Sequence, residues 1–377
     1  MALPLPLDRP ARGPEPQRIL SDRGIRQALA QGFLTLDPPH PLEDARIQPA
    51  TLDVCIRRVE ESWEGLLEDV LPARAVSTVY LTEAIDVGQL RGDHPRYLSV
   101  SAEARSTPRR LGAYMANHGA YFPTGPGGSE LEIGNFGPNA IQIPRGERIA
   151  QLFITVRPYE DDECVWGGHE SSPQGDSIRE LDMGVELQDA AALRELVVRG
   201  YLEVSPALAT GRGMLVVHAG EIGYRLREVG TVSLQDVERE DLWEPFSLGR
   251  GYLVQPNEHV VIPTQEAFTL SPSVGIRFWD NLLVQVLHRA PRQPAARAEE
   301  LVKNLPLLGL TDGWLDPGYQ GGFSRQPKWL TGRTVFPGQP IGYGQVFYFP
   351  RGVERPYGSA GLESRYAAPI SRRATAS

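Results

Sequence analysis

Apolar and polar positions along this chain follow two rhythms. After a proline-punctuated start, with Pro at 4, 6, 10, 14 and 16, Ser21 and Asp22 precede Ile25, Ala28 and Leu29, an apolar stripe at helical spacing. Gly32 closes that stripe before the apolar run from 33 to 36, so a capped helix followed by a strand is predicted. From there to about residue 160 the chain breaks into short apolar-alternating runs punctuated by Gly, Pro and Asn. This period-two pattern predicts an antiparallel β barrel or sandwich behind one leading helix.

The pattern is then repeated. The segment from Leu193 to Pro206 aligns without a gap on Ile25 to Pro38, Gly200 falling on Gly32. A second echo sets Ala140-Ile-Gln-Ile-Pro-Arg-Gly146-Glu-Arg-Ile149 against Thr334-Val-Phe-Pro-Gly338-Gln-Pro-Ile341, a glycine turn between apolar strands. The second copy is longer by about two dozen residues, most economically placed at 289–307. The acidic, Gly/Ser-rich stretch from Glu160 to Asp176 marks a linker. The expected organisation is therefore an arm over 1–18, a first domain over 19–160, a linker over 161–188, a degenerate second copy over 189–354 and a tail over 355–377.

Composition narrows the functional classes. The chain has 377 residues, enough for two domains, and its 41% hydrophobic and 23% charged residues are those of an ordinary globular protein. No run approaches the apolar length of a membrane span, and no signal pattern opens the chain, so no membrane partner is expected. A net charge of −9 opposes a broad grip on a nucleic-acid polymer while leaving room for a local anion site. Cys55 and Cys164 form no C-x-x-C pair, and His118, His169 and His218 lack H-x-E or H-E-x-x-H spacing. No zinc is therefore expected, and a reducing cytoplasm fits best. Phosphate-binding G-x-x-x-x-G-K-[ST] and nucleophilic G-x-S-x-G motifs are absent too.

Three clusters carry candidate chemistry. Arg105-Ser106-Thr107-Pro108-Arg109-Arg110-Leu111-Gly112 gathers three guanidinium groups and two hydroxyls within six residues. A solvated basic turn explains it equally well, but forked donors beside hydroxyls suit phosphate oxygens. Glu130-Leu131-Glu132-Ile133 alternates so that both carboxylates share one face. Such a pair is usually a wet face; beside the arginine turn it would hold a water as general base. Arg355-Pro356-Tyr357 and Ser364-Arg365-Tyr366 lie in a tail that is disordered by default, yet their content permits a lid over an anion.

At these residues the sequence resembles the dCTP deaminases of the dUTPase-like superfamily. Leu20-Ser21-Asp22-Arg23, Gln48-Pro49-Ala50-Thr51-Leu52-Asp53-Val54, the Arg105–Gly112 motif, Glu132-Ile133-Gly134-Asn135 through Gln151, and the closing Arg355–Tyr366 segment occur in that family's order. The length and the two copies resemble its long, tandem-repeat form. The resemblance implies a mainly β fold of two tandem dUTPase-like β-barrel domains, each with a leading helix, assembled as a homotrimer with sites shared between subunits. It implies metal-free deamination of dCTP to dUTP and ammonia, with Glu132 as base and Ser106 and Arg110 holding the water and the amine. Arg105, Thr107, Gln151, Arg365 and Tyr366 would bind the triphosphate with its Mg²⁺, and Ala120 would contact the base.

The departures bear on the product. Where the family and the dUTPases carry Asp-Pro-Gly or Asp-Ala-Gly, the first copy has Pro123-Thr124-Gly125, whereas the second keeps Asp316-Pro317-Gly318-Tyr319 without an arginine motif. In dUTPases that Asp positions the hydrolytic water, so its absence from the first copy argues against a bifunctional enzyme. Gln326 stands near where the second copy's glutamate would be, and an amide has no useful basicity. The second copy is thus expected to be catalytically silent. A dUTPase, a bifunctional enzyme and a non-enzymatic nucleotide-binding β protein remain the alternatives.

Overall fold

The computed structural model of the chain describes residues 16–37, 46–60, 69–82, 84–87, 96–115, 130–158, 181–206, 214–256, 258–279, 313–327, 332–360 and 362. The first repeat opens with β1 (Arg18–Leu20) and α1 (Asp22–Ala30), followed by β2 (Leu34–Asp37), β3 (Leu52–Glu60), β4 (Ala75–Leu81) and β5 (Ala84–Val87). Then come β6 (Arg96–Ala104), α2 (Ser106–Leu111), β7 (Ala113–Met115), β8 (Glu130–Asn135) and β9 (Arg148–Pro158). The second repeat contributes β10 (Met183–Glu186), α3 (Ala190–Val198), β11 (Leu202–Ser205), β12 (Met214–His218), β13 (Ile222–Leu226) and β14 (Val260–Leu270). It closes with β15 (Val274–Trp279), β16 (Gly313–Leu315), β17 (Gln320–Arg325) and β18 (Pro340–Tyr348).

The leading helices start and stop as their sequences dictate. Ser21 caps α1 by accepting from the Gly24 amide at 3.1 Å, and Asp189 caps α3 by accepting from the Ala191 amide at 2.7 Å. Each helix ends before a glycine at positive φ, Gly32 at 74° and Gly200 at 72°, and the next residues enter the equivalent strands β2 and β11. Ile25 and Ala28 of α1, like Leu193 and Leu196 of α3, face the core. The helix, glycine and strand aligned in the two segments of the sequence are thus built alike in both.

The two copies share one sheet. Its order is β16-β15-β18-β10-β1-β9-β3-β4-β8-β7, with β6 also pairing with β9 and β12 with β18. The join is antiparallel and nearly symmetric: Ile19 of β1 faces Thr155 on one side and Gly184 of β10 on the other. β1 therefore begins within the stretch expected to be an arm, because its backbone completes the sheet. For the same reason the end of the expected linker is ordered as β10. The apolar core of the first repeat also continues into the second, taking in Leu226, Val232, Leu234 and Val261. The proposed insert at 289–307 lies outside the described residues.

Polar contacts fix the repeats against each other. Arg277 of β15 donates to Glu103 of β6 at 2.7 and 3.0 Å, both side chains being nearly fully buried, and its guanidinium lies 4.7 Å from the centre of the Phe153 ring. The Phe153 ring in turn meets Trp314 edge-on at 5.4 Å. Asn139 donates to the Arg227 carbonyl and accepts from the Val229 and Gly230 amides. The buried carboxylate of Asp22 accepts from the amides of Glu354 and Arg355, so the start of the expected tail is docked on α1.

Candidate functional site

Register assembles the first half of the site. Gln151 on β9 faces Asp53 on β3 and Glu103 on β6, so three polar side chains lie in one row across adjacent strands. The chain leaves β6 at Ala104 and turns into α2, which carries Ser106, Thr107, Arg109 and Arg110. The bend depends on Gly112, whose φ of 113° is left-handed and whose missing Cβ would lie 2.4 Å from the Gly137 amide nitrogen. Asn135 braces the same corner, donating to the Leu71 and Asn139 carbonyls and accepting from the Gly137 amide. Arg105 and Arg148 approach the buried Asp53 carboxylate at 3.4 and 3.6 Å. Burial pushes the Asp53 carboxyl up, against the pull of those two guanidiniums.

The second half comes from the other repeat. Arg105, Ser106, Thr107, Arg110, Gln151 and Asp53 line a cleft whose opposite wall is Trp314, Asp316, Tyr319, Ser324 and Gln326, with Tyr357 also on its lining. Trp314 Nε1 donates to Asp316 Oδ1 at 2.8 Å, and the rings of Tyr319 and Tyr357 stand 5.3 Å apart. Burial pushes the Asp316 carboxyl up to about 7; Asp53 adds to the shift, while the Trp314 bond and Arg105 oppose it. The cleft thus offers guanidinium and hydroxyl donors on one wall and a carboxyl half-protonated near neutrality on the other. That combination can bind a polyanion and move a proton. Among the described residues, no three His, Cys, Asp or Glu side chains group to hold a metal ion.

Glu132 does not line this cleft. It sits on β8 opposite Thr78, exposed beside Glu130, while Leu131 and Ile133 are buried, as the alternation predicted. Its counterpart does line the cleft. Val87 of β5 pairs with Leu34 and Leu270 of β14 with the equivalent Leu202; eight residues earlier in the chain, Val79 of β4 faces Leu131 and Ile262 of β14 faces Arg325. Gln326 therefore holds in the second repeat the position of Glu132 in the first. Ala120, Pro123 to Gly125, Arg365 and Tyr366 lie outside the described residues. His259, whose Nε2 meets the Arg110 carbonyl oxygen at 2.5 Å, was not singled out in the sequence, because a lone histidine before an apolar run carries no motif.

Fold and cleft together describe two tandem β domains with a cleft between them lined by arginine, hydroxyl and carboxyl side chains. No family model matches the chain. Over 181 residues it is 26% identical to "dCTP deaminase, dUMP-forming" of Aquifex aeolicus (strain VF5), an alignment spanning 45% of this chain and 98% of that protein. A protein of the same name from Corynebacterium glutamicum (strain R) is 30% identical over 124 residues, 31% of this chain and 54% of the relative. The crystal structure of 2'-deoxycytidine 5'-triphosphate deaminase from Agrobacterium tumefaciens superposes with a TM-score of 0.62 at 18% identity, covering 90% of this chain and 99% of that one. The Aquifex protein is matched almost whole by less than half of this chain, whereas the likeness to the Agrobacterium structure runs through both repeats. The chain is thus similar in sequence to proteins named dCTP deaminase, and in fold to the Agrobacterium structure.

Proposed function

We propose that the chain is an enzyme that takes dCTP, as its Mg²⁺ complex, into the cleft between the repeats and deaminates it at C4. The observation that carries this reading is the convergence of Arg105, Ser106, Arg110 and Gln151 on one cleft, in the order of motifs that the deaminases share. Water adds its oxygen to C4, the C4–N bond breaks, and the amine departs as ammonia after gaining a proton from the base. Ser106 and Arg110 orient the water and the amine, while Arg105, Thr107 and Gln151 hold phosphate oxygens. Glu132 is the base by resemblance, and because it is exposed on β8 outside the cleft of its own chain, it serves a turn carried by a second chain of a homo-oligomer, a trimer in the simplest case.

A specific observation favours a second step. Asp316 stands in the cleft with the arginine turn, so the acidic group missing from the first repeat at Pro123-Thr124-Gly125 is supplied by the second. A carboxyl of pKa about 7 is poised to deprotonate a water that attacks the α-phosphorus, releasing pyrophosphate and dUMP. The relatives named dUMP-forming support this product over dUTP. The deciding experiment incubates the purified chain with dCTP and follows ammonia, pyrophosphate, dUTP and dUMP together. Ammonia with dUTP alone limits the enzyme to deamination, ammonia with dUMP and pyrophosphate establishes both steps, and no ammonia refutes the deaminase reading.

A further inference from the structure

The arginine turn is held from the far side of the interface by a histidine of the second repeat. His259 precedes β14, is 2% exposed, and brings Nε2 to within 2.5 Å of the Arg110 carbonyl oxygen. A carbonyl only accepts, so Nε2 carries hydrogen and the imidazole donates. On its other side Nδ1 lies 3.4 Å from the Tyr114 hydroxyl, which also stands 3.4 Å from the Gln326 carbonyl oxygen. Burial keeps the Tyr114 phenol protonated, and its ring packs edge-on against the imidazole at 6.2 Å. One polar path thus runs from Arg110 through His259 and Tyr114 to Gln326, touching both walls of the cleft.

The last turn of α2 is anchored on its apolar side by the fully buried Leu111, and His259 holds its backbone on the side of the second repeat. The helix is six residues long, too short to be stable alone, and ends at the left-handed Gly112. Arg110 lies two residues before that bend, so its backbone orientation decides where its guanidinium points. We infer that His259 is a positioning residue for the arginine turn: its Nε2–H bond to the Arg110 carbonyl sets the last turn of α2 against the start of β14 in the second repeat. This rests on the proposed function in assigning Arg110 a part in turnover. It gives the second repeat a role in that chemistry which needs no base of its own.

The test compares His259→Phe, which keeps a buried ring without donors, with His259→Gln, whose terminal amide can still reach the carbonyl, and with Tyr114→Phe. Hydrogen exchange of the peptide covering residues 106–115 reads the positioning directly, and steady-state turnover of dCTP reads its consequence. His259→Phe is expected to exchange about tenfold faster there and to lose about tenfold in kcat with KM for dCTP within about twofold, while His259→Gln recovers most of both. Unchanged exchange in His259→Phe overturns the inference. So does a His259→Gln variant as impaired as His259→Phe, because a restored donor that recovers nothing means the Nε2–H bond is not what positions the turn. If the unmodified chain releases neither ammonia nor pyrophosphate, the functional reading fails, and the exchange comparison still decides the positioning.

Discussion

Arg105 and Asp316 belong to different repeats yet face one another across a single cleft, near enough for the guanidinium to pull against the rise in the carboxyl's proton affinity. Neither repeat owns this arrangement. The first contributes the cationic turn and lacks the acid at the corresponding place; the second contributes the acid and lacks the turn. What reads along the sequence as one intact copy and one decayed copy is, in space, a division of parts.

If Glu132 serves the turn of another chain, Glu132→Gln and Arg110→Ala should each reduce ammonia release by about 10²- to 10⁴-fold. Unfolding the two variants together and refolding them as mixed oligomers should restore roughly a quarter of normal turnover, the statistical share of sites with both native groups. Refolded mixtures that stay as inactive as the parents would mean that base and arginine act within one chain.

Asp316→Asn should abolish pyrophosphate release and leave ammonia release largely intact. In the unmodified chain the hydrolytic step needs the ionised carboxyl, so its rate should rise as pH passes through about 7. Stability moves the other way. A buried acid with a raised pKa binds more protons when folded, so its stabilising share is full below about pH 4 and is lost as pH climbs through about 7. The melting temperature of Asp316→Asn should therefore gain on that of the parent across this window and hold a constant lead above it. A lead that does not vary with pH would contradict the raised pKa.

The Arg277–Glu103 pair is an interface bond with both partners almost wholly buried. Removing one partner strands a charge, and Arg277→Met should cost about 3–5 kcal/mol in urea unfolding. Adding Glu103→Leu should recover much of that loss, since an apolar pair of similar volume needs no solvation. A double variant no better than the single one would show that packing on Phe153 matters more than charge.

Gly112→Ala should both destabilise the chain and disorder the turn, because the substituent meets backbone at 2.4 Å and φ is left-handed. A loss of at least about 2 kcal/mol is expected, with KM for dCTP raised through the displaced arginines. Gly146→Ala is the control: φ is also positive there, at 80°, but no atom lies within 4 Å, so only the conformational cost of about 1 kcal/mol applies.

Much of this was legible in the chain itself. The helix cap Ser21, the closing glycines Gly32 and Gly200, and the alternation around Glu132 are local rules, and each took the form its residues dictated. The grouping of Arg105, Ser106, Thr107, Arg110 and Gln151 was legible through motif order. What the sequence concealed was long-range pairing. Nothing in Met183–Glu186 distinguishes a linker end from a sheet strand until β1 is known to need a partner. Asp316 and His259 bear on the turn only because the Glu103–Arg277 and Phe153–Trp314 contacts seat the second repeat there. Register likewise decided what Gln326 replaces.

The antiparallel seam between β1 and β10 has a consequence for how such a chain comes into being. Until residues 183–186 have been synthesised, β1 presents an unsatisfied edge, and until β1 is seated, β10 presents another. A ribosome-bound first repeat is therefore an adhesive intermediate whose natural cover arrives only with the next portion of the same polypeptide. Covalent fusion supplies that cover at high local concentration and shields the nascent edge from foreign strands. Split at the linker and produced separately, the halves would each carry an open edge and would aggregate or find one another, so the fusion is itself a safeguard during biogenesis.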